Sequence, residues 1–132
     1  MGKSLNCLID TCIFIDYLRG KPSVYDIFVR NKDIKLSMSA ITMMELLIGA
    51  FNKKEVFYIQ KSFKDIKRIH VNEKISNLAE EYIATYSKSH NLQINDALIA
   101  ATAVENEMPL VTYNISDFQY IPNIKLFNIK FS

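Results

Sequence analysis

The sequence predicts an α/β fold with a mainly parallel sheet, and three observations support this. Short apolar runs of strand length alternate with longer segments whose apolar residues recur at helical spacing. The connections between these segments are short, as expected where helices join neighbouring parallel strands. The 132 residues fit one domain, and the chain contains no repeat, linker or low-complexity tract. We therefore expect a single domain over residues 1–132.

Two strands and four helices are predicted in the first half of the chain. Leu5 to Ile9 is a short apolar run, and Ile34 to Met38 alternates apolar with polar residues. Pro22 suits the first turn of a helix, and Ser39 is a preferred N-cap residue for the apolar segment after it. The helices are expected at 11–18, from Pro22 onward, at 40–51 and at 53–63.

Three strands and two helices are predicted in the second half. Asn72 is a preferred N-cap for a long amphipathic helix that ends at His90 and Asn91. The apolar face of that helix carries Ile75, Leu78, Ala79, Tyr82, Ile83 and Tyr86. Another helix is expected at about 95–107, before Pro109, and the strands at 66–71, 110–112 and 125–129.

Composition excludes several classes of protein. Nearly half of the residues are hydrophobic, and Gly and Pro are scarce, which is typical of a globular chain. No apolar stretch approaches the roughly 20 residues of a membrane span, and the N-terminus lacks a signal-peptide pattern. Cys7 and Cys12 have the spacing of neither a disulfide framework nor a zinc knuckle, so we expect reduced thiols. These features predict a cytoplasmic protein that does not bind membranes.

Three carboxylates interrupt apolar sequence. Asp10 ends the run Leu8-Ile9-Asp10, Glu45 lies within Met43-Met44-Glu45-Leu46-Leu47, and Asp96 opens a helix that is apolar almost all round. A desolvated carboxylate without a partner is unfavourable by several kcal/mol. Asp10 and Asp96 have an alternative role at helix N-termini. Glu45 lies in mid-helix with no basic residue between Lys35 and Lys53, although a partner distant in sequence stays open.

The three acids are expected at one edge of the sheet. Asp10 ends the first strand, Glu45 follows the second by one to two helical turns, and Asp96 begins the helix that leads into the fourth. Functional groups of parallel α/β sheets collect at the carboxyl ends of the strands. Like charges packed there require a cation, and all-oxygen ligation suits Mg²⁺ or Mn²⁺. His70 and His90 are solitary in the sequence and offer no zinc site.

The segment after the fourth predicted strand adds candidates to the same edge. Thr112 and Asn114 could orient ligands through hydrogen bonds, and Asp117 could supply a further carboxylate. The alternative is an ordinary turn in which Asp117 caps a short helix.

Four segments, in order, resemble the motifs of PIN-domain nucleases. Leu8 to Leu18 (LIDTCIFIDYL) resembles their opening strand and turn, and Ser39 to Leu46 (SAITMMEL) resembles their second motif. Asn95 to Ala101 (NDALIAA) resembles the third, and Leu110 to Phe118 resembles the fourth. The order and spacing hold over essentially the whole chain. The length, without appended domains, is similar to that of the VapC-type toxins of toxin–antitoxin pairs.

The resemblance implies a three-layer, PIN-like sandwich with strand order 3-2-1-4-5. It also implies Mg²⁺- or Mn²⁺-dependent cleavage of RNA, a homodimer and inhibition by a small antitoxin. By position, the catalytic and metal-binding acids are Asp10, Glu45 and Asp96. Many relatives have Asp where this chain has Asn114, so the fourth carboxylate is assigned to Asp117.

The roles that we expect follow from what hydrolysis of a phosphodiester requires. Asp10 and Asp96 would hold the principal ion, and Glu45 would bind it through water or help to deprotonate the nucleophile. Asp117 would serve a second position, and Thr11 and Thr112 would orient the ligands.

An acidic site that binds RNA also needs a cationic rim. Basic residues concentrate between Lys53 and Lys74, with Phe57 and Tyr58 interleaved, although the net charge is only +2. The candidate RNA contacts are Lys53, Lys54, Lys61 and Lys64. The alternative is a solvated helix face.

Two other classes of protein stay open at this point. A phosphatase of the haloacid dehalogenase kind needs a second Asp at the position of Cys12, and a receiver domain needs an acidic pair just before the end of the first strand, where Leu8 and Ile9 stand. A non-catalytic binding module, in which the acids only cap helices, is the other alternative.

Overall fold

The computed structural model describes residues 5–30 and 33–127, and five strands in these ranges form one parallel sheet. The strand order is β3-β2-β1-β4-β5, which confirms the predicted order. The elements are β1 (Leu5–Ile9), α1 (Thr11–Leu18), α2 (Pro22–Arg30), β2 (Ile34–Ser39), α3 (Ala40–Ile48), α4 (Lys53–Ser62), β3 (Lys67–Ile69), α5 (Glu73–His90), α6 (Ile94–Glu105), β4 (Leu110–Val111), a 3-10 turn (Ile115–Asp117) and β5 (Leu126–Phe127).

The central strand β1 divides the hydrophobic core in two. Its side chains alternate between the faces of the sheet, so Cys7 and Ile9 enter one core and Leu8 enters the other. β1 pairs with β2 from Leu5 opposite Ile34 onward, and its end pairs with β4. Helices therefore cover both faces, as a buried parallel sheet requires.

Aromatic rings fill the first core, and small side chains shape the second. Phe14 of α1 is fully buried and meets the rings of Phe28 and Phe63 edge-on, with centroids 5.3 and 5.1 Å away. In the second core α5 packs against α6, whose buried alanines include Ala97 and Ala100. The small side chains let the two helices approach closely, and this contact fixes the start of α6 beside the sheet.

Two predicted caps and one predicted face are confirmed. Ser39 accepts a hydrogen bond from the Ile41 N–H, and Asn72 accepts one from the Ile75 N–H. All six residues of the predicted apolar face of α5 are buried or half-buried.

Cys7 and Cys12 are free thiols. Among the described residues, no helix is long and apolar enough to span a bilayer.

Several predicted boundaries were too generous. α3 was expected to reach Phe51 but ends at Ile48, because the Ala50 N–H bonds to the Leu47 carbonyl three residues back and Asn52 then caps α4. β3 is limited to 67–69 because it is an edge strand that pairs only with the last residues of β2. α6 spans 94–105 rather than 95–107, and β4 stops one residue before Thr112. β5 covers 126–127, and 128–129 lie outside the described residues.

Candidate metal centre

Asp10 stands at the junction between β1 and α1. Its N–H donates to the Val111 carbonyl at 2.9 Å, and its Oδ1 accepts the Thr11 N–H at 2.8 Å, so the residue also caps α1. Its Oδ2 accepts the Thr112 hydroxyl at 2.7 Å. The side chain is thus held on both oxygens, and only 5% of the residue is exposed. The capping role considered above and a place in the site are therefore both fulfilled.

Glu45 has two neutral partners distant in sequence. Oε1 accepts the Thr11 hydroxyl at 2.8 Å, and Oε2 accepts the Asn95 carboxamide at 2.8 Å. Thr42 lies 2.9 Å from the Thr11 oxygen and completes this network. The partner left open by the sequence is thus a pair of neutral donors rather than a buried base. Hydrogen bonds of this kind favour the charged form of a carboxylate.

Asn95 is the site residue that sequence reasoning missed. It was noted only as part of a motif, and its side chain ties α3 to the first turn of α6. Its position directly before Asp96 was the available signal.

Asp96 and Asp117 both line a cavity of about 290 Å³. Asp96 lies in the first turn of α6, and Asp117 ends the 3-10 turn that follows β4. Asn114 does not line this cavity. Its side chain is exposed, while its N–H donates to the Thr112 hydroxyl oxygen at 2.9 Å and so steadies the group that holds Asp10.

Burial and mutual repulsion raise the pKa of two of these acids. Burial is the main cause for Asp10, the charge of Glu45 adds to it, and the hydrogen bonds from Thr112, Thr11 and Cys12 oppose it. For Asp96, burial comes first, followed by the charges of Asp10, Asp117 and Glu45, and the pKa rises to about 6. The four predicted carboxylates therefore lie close enough to act on one another.

A divalent cation fits this donor set. Among the described side chains, no Lys or Arg forms an ion pair with any of the four acids; the ion pair found there joins Lys21 to Asp16 at 3.5 Å. Hard oxygen donors with uncompensated negative charge are what Mg²⁺ and Mn²⁺ prefer. No three acidic, His or Cys side chains in the described ranges already stand in ligating geometry. Binding an ion would therefore draw the carboxylates together against their repulsion.

The four predicted RNA-binding lysines are exposed on or just after α4. Lys54 and Lys61 are seven residues apart and share one flank of the helix, whereas Lys53 lies on the face opposite Glu55. Lys64 follows the end of the helix. Lys53, Lys54 and Lys61 thus lie within about a third of the circumference of α4, on its exposed side.

An apolar groove runs from Glu45 toward α4. It has a volume of about 400 Å³, and α1, α3 and α4 each contribute apolar residues to it, such as Ile15, Leu46 and Ile59. Phe51, which also lines the groove, is 92% exposed, and the neighbouring Ile48 is 85% exposed. Large apolar side chains exposed together commonly mark a binding surface.

Comparisons with known proteins agree with the fold. The model of the PIN domain matches residues 7–122. Ribonuclease VapC19 of Mycobacterium tuberculosis is 30% identical over 121 residues, which cover 89% of this chain and 96% of that protein. VapBC2 from Rickettsia felis, solved bound to a DNA fragment from its promoter, contains a chain that is 26% identical with a TM-score of 0.76, covering 96% of this chain and 100% of that one. A toxin–antitoxin complex from Klebsiella pneumoniae is similar in fold, with 24% identity, a TM-score of 0.73 and coverage of 92% and 96%.

Removing the charge of Asp96 should stabilise the metal-free protein. Its pKa rises from 3.8 in the unfolded chain to about 6, so the folded state binds more protons within that window and loses stability as the pH rises through it. In EDTA near pH 7.5 we expect Asp96→Asn to gain roughly 1–2 kcal/mol, allowing for solvent screening, and the gain should vanish toward pH 4. Thermal unfolding at both pH values measures this.

Asp65→Asn is the matched control, because it removes an exposed carboxylate outside the cluster. Equal melting temperatures for Asp96→Asn and the wild type at both pH values would contradict the proposed repulsion.

Proposed function

Because the chain belongs to the PIN-domain family, among the VapC ribonucleases, we propose that it is a divalent-metal-dependent ribonuclease that serves as the toxin of a toxin–antitoxin pair. Its substrate is RNA in the cytoplasm, and its activity is restrained by a small cognate antitoxin. The observation that carries the proposal is the group of four carboxylates without a basic partner among the described side chains. A homodimer, implied by the resemblance, stays a prediction.

Asp10 and Asp96 are the residues proposed to hold the principal Mg²⁺ or Mn²⁺, with Asp117 beside them. When bound, such an ion supplies Lewis-acid activation of water and neutralises charge on the phosphate. The chain itself provides orientation. Thr112 fixes one oxygen of Asp10 and leaves the other on the Thr11 N–H, so the carboxylate cannot rotate freely.

Glu45 is proposed to accept a proton from the attacking water. Its oxygens are directed by Thr11 and Asn95, and neither partner is itself a base. Neutral donors hold its two oxygens in a fixed orientation, which a group that accepts a proton in the transition state requires. Positioning of this kind also spares the site the reorganisation that a free side chain would need.

The other enzyme classes do not fit as well. A phosphatase would have a second acid two residues after Asp10, where this chain has the half-buried Cys12, and a receiver domain would have acids where this chain has Leu8 and Ile9. A non-catalytic module explains Asp10 as a cap but leaves the grouping of Glu45, Asp96 and Asp117 without a purpose. The module is therefore kept as an outcome of the first experiment below.

Loss of metal-dependent cleavage in two isosteric variants tests the nuclease function. We expect the wild type to cleave single-stranded RNA with Mg²⁺ or Mn²⁺ and to stop when EDTA is added. Asp96→Asn and Glu45→Gln should each lower kcat by about 10²-fold or more, since each removes a group that acts in the transition state. Gel analysis of end-labelled RNA measures the rates.

Asp65→Asn again serves as the control and should cleave like the wild type. If no RNA is cleaved with either metal, and neither metal raises the melting temperature, the chain is a binding module.

Lysines of α4 are proposed to bind the RNA backbone, and the pair Lys54 and Lys61 is the best placed of the four. Replacing both with Ala should weaken RNA binding and reduce the dependence of log K on log [salt] by about 1.4, because single strands lose about 0.7 per phosphate contact. Fluorescence anisotropy with labelled RNA in a cleavage-deficient Asp96→Asn background measures both quantities.

The matched control removes the same charge at the opposite edge of the sheet. Lys35 lies near the start of β2, and Lys125 directly precedes β5. If Lys35→Ala/Lys125→Ala reduces the salt dependence as much as Lys54→Ala/Lys61→Ala does, the assignment to α4 is wrong.

The antitoxin is proposed to cover the apolar groove beside Glu45. The groove borders a predicted catalytic group, so a partner seated there would block access to the acids. Its exposed rim at Ile48 and Phe51 supplies the apolar area that a stable protein interface needs.

A charge on the groove rim should therefore relieve inhibition. We expect Phe51→Lys to raise the antitoxin concentration needed for half-inhibition of RNA cleavage by about tenfold or more. The substitution places a charge where the antitoxin would otherwise bury an aromatic side chain. Val29→Lys changes an exposed apolar residue of α2 outside the groove and should leave that concentration unchanged. Equal inhibition of the wild type and Phe51→Lys would remove the groove as the docking site.

A further inference from the structure

We propose that the cavity beside Asp96 and Asp117 is a nucleobase subsite, in which an unpaired base next to the cleaved phosphodiester stacks on His90 and Tyr120. The inference rests on the proposed ribonuclease function and adds the chemical group that the site recognises. The cavity of about 290 Å³ is bordered on one side by the two carboxylates and on another by the two rings. Gln93 and Ser116 add polar groups to its lining.

His90 and Tyr120 form a stacked aromatic pair. His90 is the last residue of α5, and Tyr120 follows the 3-10 turn. Their ring centroids are 4.0 Å apart with planes at 19°. Tyr86 meets the edge of this pair, 5.6 Å from His90 and 4.9 Å from Tyr120. Tyr120 covers one face of His90, yet His90 as a whole is exposed, so a flat base can extend the stack.

The aromatic pair is fixed before a ligand binds. The Ser89 hydroxyl lies 2.8 Å from His90 Nδ1 and restrains the ring. Asn91 ends α5 in the left-handed conformation with φ of 56°. Gln93 then donates from Nε2 to the backbone oxygen and to Oδ1 of Asn91, at 3.0 and 3.1 Å. A prearranged platform loses little conformational freedom on binding, which favours affinity.

Tyr120 connects this platform to the acids. Burial, and then the charges of Asp96 and Asp117, raise the pKa of Tyr120, so its protonated phenol lies within the field of both carboxylates. A phenol in that position can donate a hydrogen bond to a phosphate or ribose oxygen. A base on the platform and a phosphate at the acids would therefore belong to neighbouring positions of one RNA strand.

The sequence indicated only that His90 is solitary and ends the long helix. His90 does have a packing role, since it stacks on Tyr120. Packing alone does not explain why the exposed His90 and the half-buried Tyr120 line the same cavity as two of the four acids.

The kinetic test compares variants that remove the ring with one that keeps it. His90→Ala should raise KM for a single-stranded oligoribonucleotide about tenfold, with a smaller effect on kcat, since loss of base stacking weakens binding. His90→Phe retains a flat ring and should restore KM. Tyr25→Ala removes an exposed aromatic side chain on α2, outside this cavity, and should behave like the wild type. An unchanged KM for His90→Ala overturns the subsite.

A binding test separates failure of the subsite from failure of the nuclease function. The probe is a single-stranded RNA that carries 2-aminopurine, added to the Asp96→Asn variant, in which one repelling charge is gone. Stacking should quench its fluorescence, and adding His90→Ala should abolish the quenching while His90→Phe keeps it. Quenching that persists with His90→Ala, or that never occurs in the parent variant, overturns the subsite even where the wild type cleaves RNA. Quenching that depends on His90 in a protein that cleaves no RNA supports the subsite and overturns the nuclease function.

Discussion

Repulsion among four carboxylates, two of which are held by neutral hydrogen-bond donors, is the constraint on which the site depends. Asp10 is almost completely buried, and burial together with the charges of Asp10, Asp117 and Glu45 raises the pKa of Asp96 to about 6. Thr11, Thr112 and Asn95 direct the oxygens of Asp10 and Glu45 without neutralising their charge. An ordinary folded protein would place Lys or Arg among such groups. Among the described side chains, no Lys or Arg forms an ion pair with these acids. Their negative charge is therefore left to be neutralised by a bound cation.

The fold tolerates this unfavourable grouping of charges because its polar residues come from several different helices and strands. Each element contributes only one or two polar groups to the cluster. These elements are the ends of β1 and β4, the middle of α3 and the start of α6. The two cores on either side of the sheet hold these elements in place. Stability comes from packing far from the acids, and the carboxyl edge can then carry strain that function requires.

Much of this could be predicted from the sequence, because the strands and helices have strong apolar patterns and preferred caps. Asn72 and Ser39 predict the helix starts that they cap. The acids within apolar sequence predict which edge of the sheet carries the site. What the sequence could not provide depends on contacts between distant segments. Asn95 meets Glu45 across 50 residues, and Tyr120 meets His90 only once the 3-10 turn has brought it back over α5. The early end of α3 likewise follows from local hydrogen bonding at Ala50 and Asn52 that hydropathy does not reveal.

Asp10 both caps a helix and belongs to the group of acids, and this has a practical consequence for the design of an inactive variant. The carboxylate that lies among the acids also caps the helix that follows β1, because its Oδ1 accepts the Thr11 N–H. Alanine at this position would erase the cap together with the charge, and a loosened fold would then be mistaken for lost chemistry. Asparagine preserves the cap, because its amide oxygen caps a helix about as well as a carboxylate does. For crystallisation with RNA, or for expression without harm to the host, position 10 is better occupied by asparagine.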